Sequence, residues 1–267
     1  MSTPKPGAVS TVASGLALTG SQIRYVNKAF WRNPASAFFT FAFPLMFLVI
    51  FTALLGHGTV PIGGRQIHVS SYYVSAMATF AVITACYTNM AISLAFQRDS
   101  GILKHVEGTP MPAGVYLAAR VLHSVLISVL LVALTAAFGK AFYQAEIPTG
   151  DTLLRFLAML VVGAISFCAL GFAIAAFIPN LDAAAPIANA TILPLLFLSG
   201  VFIPIGDNTP AWLLWVAKVF PVKHFADGMQ AGFLGTTFHP VDLLIVAAWG
   251  VGGLVIAVAR FRWQPRA

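Results

Sequence analysis

ATILPLLFLSGVFIPIGDNTPAWLLWVAKVFPVKHFADGMQAGF, residues 190–233, is the stretch that decides how this chain folds. Its first part runs apolar and uncharged through Pro204. Asp207-Asn208-Thr209-Pro210 then reads as a turn feeding a helix cap, with proline at the first helical position. The next apolar run, residues 211–220, is too short to cross a bilayer, which takes about 20 residues. Pro221 separates it from a second short segment that reaches Phe233. Such a pair enters the membrane and turns back, or lies at its surface, and Trp212 and Trp215 favour interfacial depth.

Working outward, hydrophobic residues make up 59% of the 267 and charged residues 9%, a balance that no soluble core of this size requires. The chain reads as a polytopic membrane protein. Uninterrupted apolar stretches fall near 36–56, 71–96, 115–139, 152–178, 183–204 and 241–259, giving six spans with both termini on one side. If that side is the cytoplasm, ten Lys and Arg lie inside, Arg98, Lys104 and Arg120 among them. Five lie outside, which satisfies the positive-inside rule. The whole net charge of +7 then sits on the inner face, and anionic lipid accounts for it without a nucleic-acid partner. No cleavable leader is expected, because the first 33 residues are too polar for a secretory apolar region.

Residues 1–15 are rich in Ser, Thr, Pro and Gly and are expected to be disordered. From residue 16 to 33 Ile23, Val26 and Phe30 recur at helical spacing beside Arg24, Lys28 and Arg32, the pattern of an interfacial amphipathic helix. Asn33-Pro34 ends it. The six phenylalanines of the first span (38, 39, 41, 43, 47 and 51) fit packing or lipid contact better than a substrate lining. Residues 56–70 read as a small outer loop with the turn signal Pro61-Ile62-Gly63-Gly64.

Several chemistries are missing. No GxxxxGK[ST] occurs, so the chain does not bind ATP in the P-loop manner. HExxH, GxSxG and CxxC are absent too, and the six His show no ligand spacing, so neither a catalytic residue nor a metal site is expected. Cys86 and Cys168 each fall inside a span and read as small apolar packers. None of the eight acids falls at the middle of a span, where an ion-driven carrier usually keeps its proton or sodium carboxylate. The interior polar groups are neutral: Thr84, Tyr87, Thr88 and Asn89 on span two, Asn189, Thr191 and Ser199 on span five. Groups of that kind hold helices together or decorate a greasy cavity.

In order and spacing, LSGVFIP (198–204), TPAWL (209–213) and FPVKH (220–224) resemble the last third of a type-2 ABC transporter permease. That family supplies the membrane half of bacterial ABC exporters of the drug-resistance or polysaccharide and lipid export type. The likeness extends over nearly the whole chain. The polar loop 97–112 resembles the family's coupling helix, which sits in a groove of the ATPase subunit. Arg98, Gly101, Leu103, Thr109 and Pro110 fit its pattern, and Asp99 stands in for a glutamate. Ile102 departs, and Lys104 reverses the charge where the family often has an acid.

The resemblance implies an all-α polytopic membrane protein of six transmembrane helices. It further implies a connecting helix over 16–33, a single transmembrane domain over 34–267 and an extracellular re-entrant helical hairpin between spans five and six. Arg98, Asp99, Gly101, Leu103, Lys104, His105, Glu107, Thr109 and Pro110 would form the ATPase-coupling loop. Tyr87 and Asn89, facing Asn189, Leu193 and Phe197 across a dimer axis, would line the substrate path. The implied partners are two copies of a separate cytoplasmic ATP-binding subunit, a second permease copy as a homodimer, and membrane lipid. The chain itself would bind no cofactor, ATP and Mg belonging to the partner, and it would lie in the bacterial cytoplasmic membrane with both termini inside. The cargo would be hydrophobic or amphiphilic: a drug, a lipid or a lipid-linked glycan.

Two other classes stay open. A membrane-embedded enzyme of lipid or cell-wall metabolism would need paired acids or a His/Asp cluster at the interface, and only His105 with Glu107 comes near. An ion-coupled carrier would need the mid-span carboxylate. A neighbouring gene for a soluble ATPase with Walker motifs would decide among the three.

Overall fold

Length and apolarity single out five helices able to cross a hydrocarbon core among the described residues: Pro34–Leu55, Val69–Asp99, Ala113–Tyr143, Gly150–Ala175 and Pro240–Arg260. The computed structural model describes residues 8–55, 58–62, 65–109, 111–145, 147–205 and 209–260. In chain order the elements are α1 (Ala8–Trp31), α2 (Pro34–Leu55), β1 (Thr59–Ile62), β2 (Arg65–His68), α3 (Val69–Ile83), a π-helical turn (Thr84–Thr88) and α4 (Asn89–Asp99). Then come α5 (Ile102–Glu107), α6 (Ala113–Tyr143), α7 (Gly150–Ala175), α8 (Ala184–Leu198), α9 (Ala211–Val219), α10 (Pro221–Leu234) and α11 (Pro240–Arg260).

The rod formed by α3, the π turn and α4 is the most buried of the long helices, with α7 next. Tyr73, Met77, Ile83 and Leu94 of the rod and Met159, Leu160 and Phe167 of α7 are fully enclosed. Between membrane helices there is little hydrophobic drive, so close approach of small residues sets the contacts. Gly171 on α7 faces the π turn directly: a Cβ there would stand 2.8 Å from the Tyr87 carbonyl oxygen and 3.1 Å from that of Cys86. Gly250 and Gly253 of α11 lie against the α7 backbone, where a Cβ would meet Ser166 Cα at 2.8 Å and Leu170 N at 3.0 Å. Gly228 and Gly232 of α10 let that helix lie flat on Met159 and Phe156 of α7.

The first-span phenylalanines divide by face. Phe47 packs on Phe80 and Phe51 stacks on Tyr73, while Phe38 and Phe39 point outward and exposed. Asn33 caps α2, its side-chain oxygen accepting the Ser36 N–H at 3.2 Å, with Pro34 at the first helical position.

Several expectations are corrected. The chain is already helical from Ala8, inside the stretch 1–15 whose composition suggested disorder. The loop 56–70 contains a two-stranded antiparallel ladder, Val60 opposite Ile67, a small addition to an otherwise helical membrane fold. The segment expected to span over 183–204 is helical only for Ala184–Leu198, because Gly200 takes a left-handed φ of 78° that ends the helix. Asp207 and Asn208 of the expected turn lie outside the described residues. The pair of short helices does occur as α9 and α10, with Pro221 at the start of the second.

Gly171→Ala should destabilise the protein by about 1–3 kcal/mol, because its methyl meets backbone oxygen that has nowhere to move. Gly252→Ala, which meets nothing within 4 Å, is the control. Thermal unfolding in detergent compares them, and equal melting temperatures would contradict the packing described.

Candidate functional site

The chain between α4 and α6 makes a short knuckle at one end of the bundle. Gly101, in the left-handed region at φ 74°, reverses the chain after Asp99 and starts α5. Leu103 is fully buried and anchors the knuckle to the bundle, whereas Ile102, Lys104, His105 and Glu107 are exposed. Thr109 closes it, its hydroxyl donating to the Val106 carbonyl at 2.7 Å. Pro110 lies outside the described residues. Of the expected coupling residues, Leu103 therefore holds the loop from within and does not belong to its outer face.

Arg98 is 2% exposed and lies under this knuckle, not on a solvated face. Its Nη1 donates to the Ala175 carbonyl at 3.3 Å, and its Nη2 to those of Ile178 at 2.8 Å and Pro179 at 3.4 Å. The first is an orphan acceptor at the C-terminal end of α7, where a cation is also favoured by the helix dipole, and the other two lie in the turn that follows. Asp99 completes the joint: Oδ1 accepts from Arg98 Nε at 3.3 Å and Oδ2 from the Leu181 N–H at 2.6 Å. Arg120, counted by sequence among the inner-face charges, is likewise enclosed, donating to Tyr116 and Ser93 while Tyr116 donates to Gln97.

The expected path residues separate into two groups. Asn189, Leu193 and Phe197 fall at i, i+4 and i+8 of α8; Leu193 and Phe197 are exposed, and Ala188, Ile192 and Leu196 form the buried face. Tyr87 is buried and meets α8 through a 2.7 Å hydrogen bond between its hydroxyl and that of Thr191. Asn89 is exposed on another face of α4, so the structure does not bring it together with Tyr87. A hollow of about 490 Å³ lies elsewhere, between α6 and α7, lined by Lys140, Gln144, Ala145, Ile147 and Thr149.

At the opposite end of the bundle, near the β-hairpin, polar bonds tie the short helices down. Tyr72 donates to the Gly200 carbonyl and Tyr73 to that of Phe202 at 3.3 Å, fixing the chain beyond α8 to α3. His224 Nδ1 lies 2.6 Å from the Asp242 carboxylate, and its Nε2 donates to the Lys218 carbonyl at 2.8 Å, linking α10, α11 and α9. Trp249 donates to the Val219 carbonyl at 3.1 Å. Burial pushes the Asp227 carboxyl up, against the opposing pull of its ion-pair partner Lys223. α10 is enclosed along most of its length; on α9 only Ala217 is buried, with Trp212 and Trp215 exposed. Among the described residues, no group of three or more His, Cys, Asp or Glu is placed to hold a metal ion.

The ABC-2 type transporter family matches residues 19–234. The chain belongs to that family. It is 24% identical over 218 residues to the putative transport permease YvfS of Bacillus subtilis, covering 82% of this chain and 86% of that one. It is 25% identical over 220 residues to the inner membrane transport permease YadH of Escherichia coli, covering 81% and 80%. A shorter match, 23% over 137 residues, joins 51% of this chain to 36% of the probable multidrug ABC transporter permease YbhR of Escherichia coli. This ABC-2 chain is thus a transport permease subunit of the membrane.

Sequence reasoning missed the burial of Arg98 and Arg120 and the His224–Asp242 link. The one signal for Arg98 was its place within a helical turn of an apolar run, where a charge stays only if backbone or a counter-ion receives it. The Tyr87–Thr191 bond joins the rod to α8 mid-bundle. A double-mutant cycle of Tyr87→Phe and Thr191→Val should give a coupling energy of about 0.5–1.5 kcal/mol in detergent unfolding. Additive losses would show that the two hydroxyls do not interact.

Proposed function

We propose that the chain is the membrane half of an ATP-driven exporter, working as a homodimer with two copies of a separate cytoplasmic ATPase. It moves a hydrophobic or amphiphilic cargo across the cytoplasmic membrane. The observation that carries this reading is the construction of the 100–109 knuckle. It is the exposed tip of the most buried rod, anchored by Leu103 and braced by Arg98 and Asp99, while Ile102, Lys104, His105 and Glu107 face outward. A solvated linker has no need of such bracing; an element that receives force does.

Six crossings with both ends cytoplasmic belong to the same proposal. α8, about 22 Å long at 1.5 Å per residue, is short for a span. Yet the chain ahead of it is bound by Asp99 at one end of the rod, and the chain after it by Tyr72 at the other. That supports counting α8 and its continuation through Phe202 as the fifth of six spans. The hairpin of α9 and α10 is then re-entrant from the outer side, with α9 at the interface. α1 lies as the connecting helix, its Ile23, Val26 and Phe30 half-buried and Arg24, Lys28 and Arg32 exposed. Nucleotide and Mg belong to the partner. The exposed Leu193–Phe197 face of α8, with Asn189 beside it, is the lining of the path, and its apolar character fits a greasy cargo.

Ile102→Asp combined with His105→Asp alters the exposed face of the knuckle and leaves the Leu103 anchor in place. Co-purification with the ATPase should drop by about tenfold or more, as expected for charges introduced at the centre of an interface. Undiminished recovery of the complex would refute docking here. Asn189→Ala and Phe197→Ala should change which compounds stimulate ATP hydrolysis by the assembled complex. An unchanged profile in both would move the path elsewhere.

A further inference from the structure

We infer that Arg98 and Asp99 form the joint that passes displacement of the knuckle on to α8, through the 176–183 turn. This rests on the reading of the knuckle as the ATPase contact and names where its motion goes. α5 is continuous with α4, so a push on it reaches the rod by covalent connection alone. The covalent path to the helix that carries Asn189, Leu193 and Phe197 runs the length of α6 and α7, so it offers no direct link.

The connection is made by hydrogen bonds. The Arg98 guanidinium holds three carbonyls on the far side of the contact, Ala175, Ile178 and Pro179, and Asp99 holds the Leu181 N–H at 2.6 Å. One acceptor lies in the last turn of α7, two in the bend, and the donor only three residues before α8 begins at Ala184. The turn is also ordered from within: the Asn180 side chain accepts the Ala183 N–H at 3.0 Å, and Ala184 N–H donates to Leu181 O at 3.0 Å. A shift of residues 178–181 is therefore handed to the first residues of α8 with little slack.

The chemistry suits a joint that must hold under load. Arginine is planar, permanently charged and forked, so it keeps several acceptors in one rigid arrangement; a lysine ammonium cannot span them. At 2% exposure, water does not compete for those carbonyls. The Asp99 carboxylate beside it fixes the guanidinium orientation and adds a charge-assisted bond to the turn. Arg98 and Asp99 are positioning residues: they touch no cargo.

The test uses the whole complex with its ATPase and a Leu193→Cys reporter on the exposed face of α8; native Cys86 and Cys168 are buried. The readout is the rate of labelling by a small maleimide, with and without ATP and vanadate. Site-to-site coupling commonly amounts to about fivefold or more, so nucleotide should change the parent rate by at least about that factor. In whatever complex Arg98→Gln forms with its ATPase, the ratio should fall to near one. Arg98→Lys should fail similarly, because charge without the fork does not bridge the carbonyls. Asp99→Asn, on the less buried partner, should give a smaller ratio than the parent; it decides the matter if neither Arg98 variant is recovered from membranes.

A full nucleotide response in assembled Arg98→Gln, or in Asp99→Asn if that is the variant recovered, overturns the joint while leaving ATPase docking intact. A parent rate that ignores nucleotide overturns it as well. Loss of ATPase binding by the knuckle double variant, with no effect of Arg98→Gln on labelling, separates failure of the inference from failure of the underlying reading.

Discussion

The close approach of α7 to the π turn at Thr84–Thr88 is the constraint on which the rest of the bundle depends. Helices surrounded by lipid gain little by hiding apolar area from one another, so they associate where backbones can come near enough for dispersion and polar contacts to add up. Gly171 permits that approach, and the widened π turn presents the carbonyls of Cys86 and Tyr87 to it. With α7 seated there, its remaining faces become sockets: Gly250 and Gly253 bring α11 onto one, Gly228 and Gly232 bring α10 onto another. Enlarging Gly171, Gly250 or Gly253 pushes against another helix's backbone, whereas at Gly228 and Gly232 the added methyl meets the side chains of Met159 and Phe156.

Polar bonds take over where the small-residue contacts stop. At the knuckle end a guanidinium and a carboxylate grip the turn between α7 and α8; at the other end Tyr72, Tyr73 and the His224–Asp242 pair grip the chain after α8 and the short helices. Between these ends α8 meets the rod through small apolar residues, Ala184 and Ala188 against Ala91 and Ala95, and through one neutral hydroxyl pair, Tyr87 and Thr191. α8 is thus fastened by polar bonds at both ends and packed by one apolar face between them, with Pro194 interrupting its own hydrogen-bond ladder. A helix held in that way can tilt or bow when one end is moved.

Long apolar runs are legible because the bilayer imposes length, and the six runs recur as α2, the rod, α6, α7, α8 and α11. The split of residues 211–234 into two helices was legible in Pro221, which fixes φ and lacks a donor. The β ladder was missed because Thr-Val-Pro-Ile and Arg-Gln-Ile-His are each too short to show a period, although two glycines between them are a hairpin signal. Leu103 was read as part of a docking face because a turn and a half of helix has no periodicity from which to tell its inside from its outside. Arg98 and Arg120 were counted as solvated for a similar reason: composition assigns charges to surfaces, while burial depends on acceptors that only the fold assembles, here the end of α7 and the hydroxyls of Ser93 and Tyr116.

The distribution of charge also bears on how work enters the protein. A carrier driven by protons or sodium takes its energy at the cargo site itself, through carboxylates held at mid-bilayer at considerable cost. Here Asp99 belongs to the knuckle end, and Asp227 and Asp242 cluster with Lys223 and His224 at the other. The polar part of the mid-bundle contact between rod and α8 is a pair of hydroxyls whose protonation does not change in the physiological range. Such a centre can respond to a movement delivered from an end. The rigid guanidinium joint at the knuckle and the proline-interrupted α8 are complementary parts of one arrangement, in which displacement is received where the protein is stiff and expressed where a helix lacks part of its own ladder.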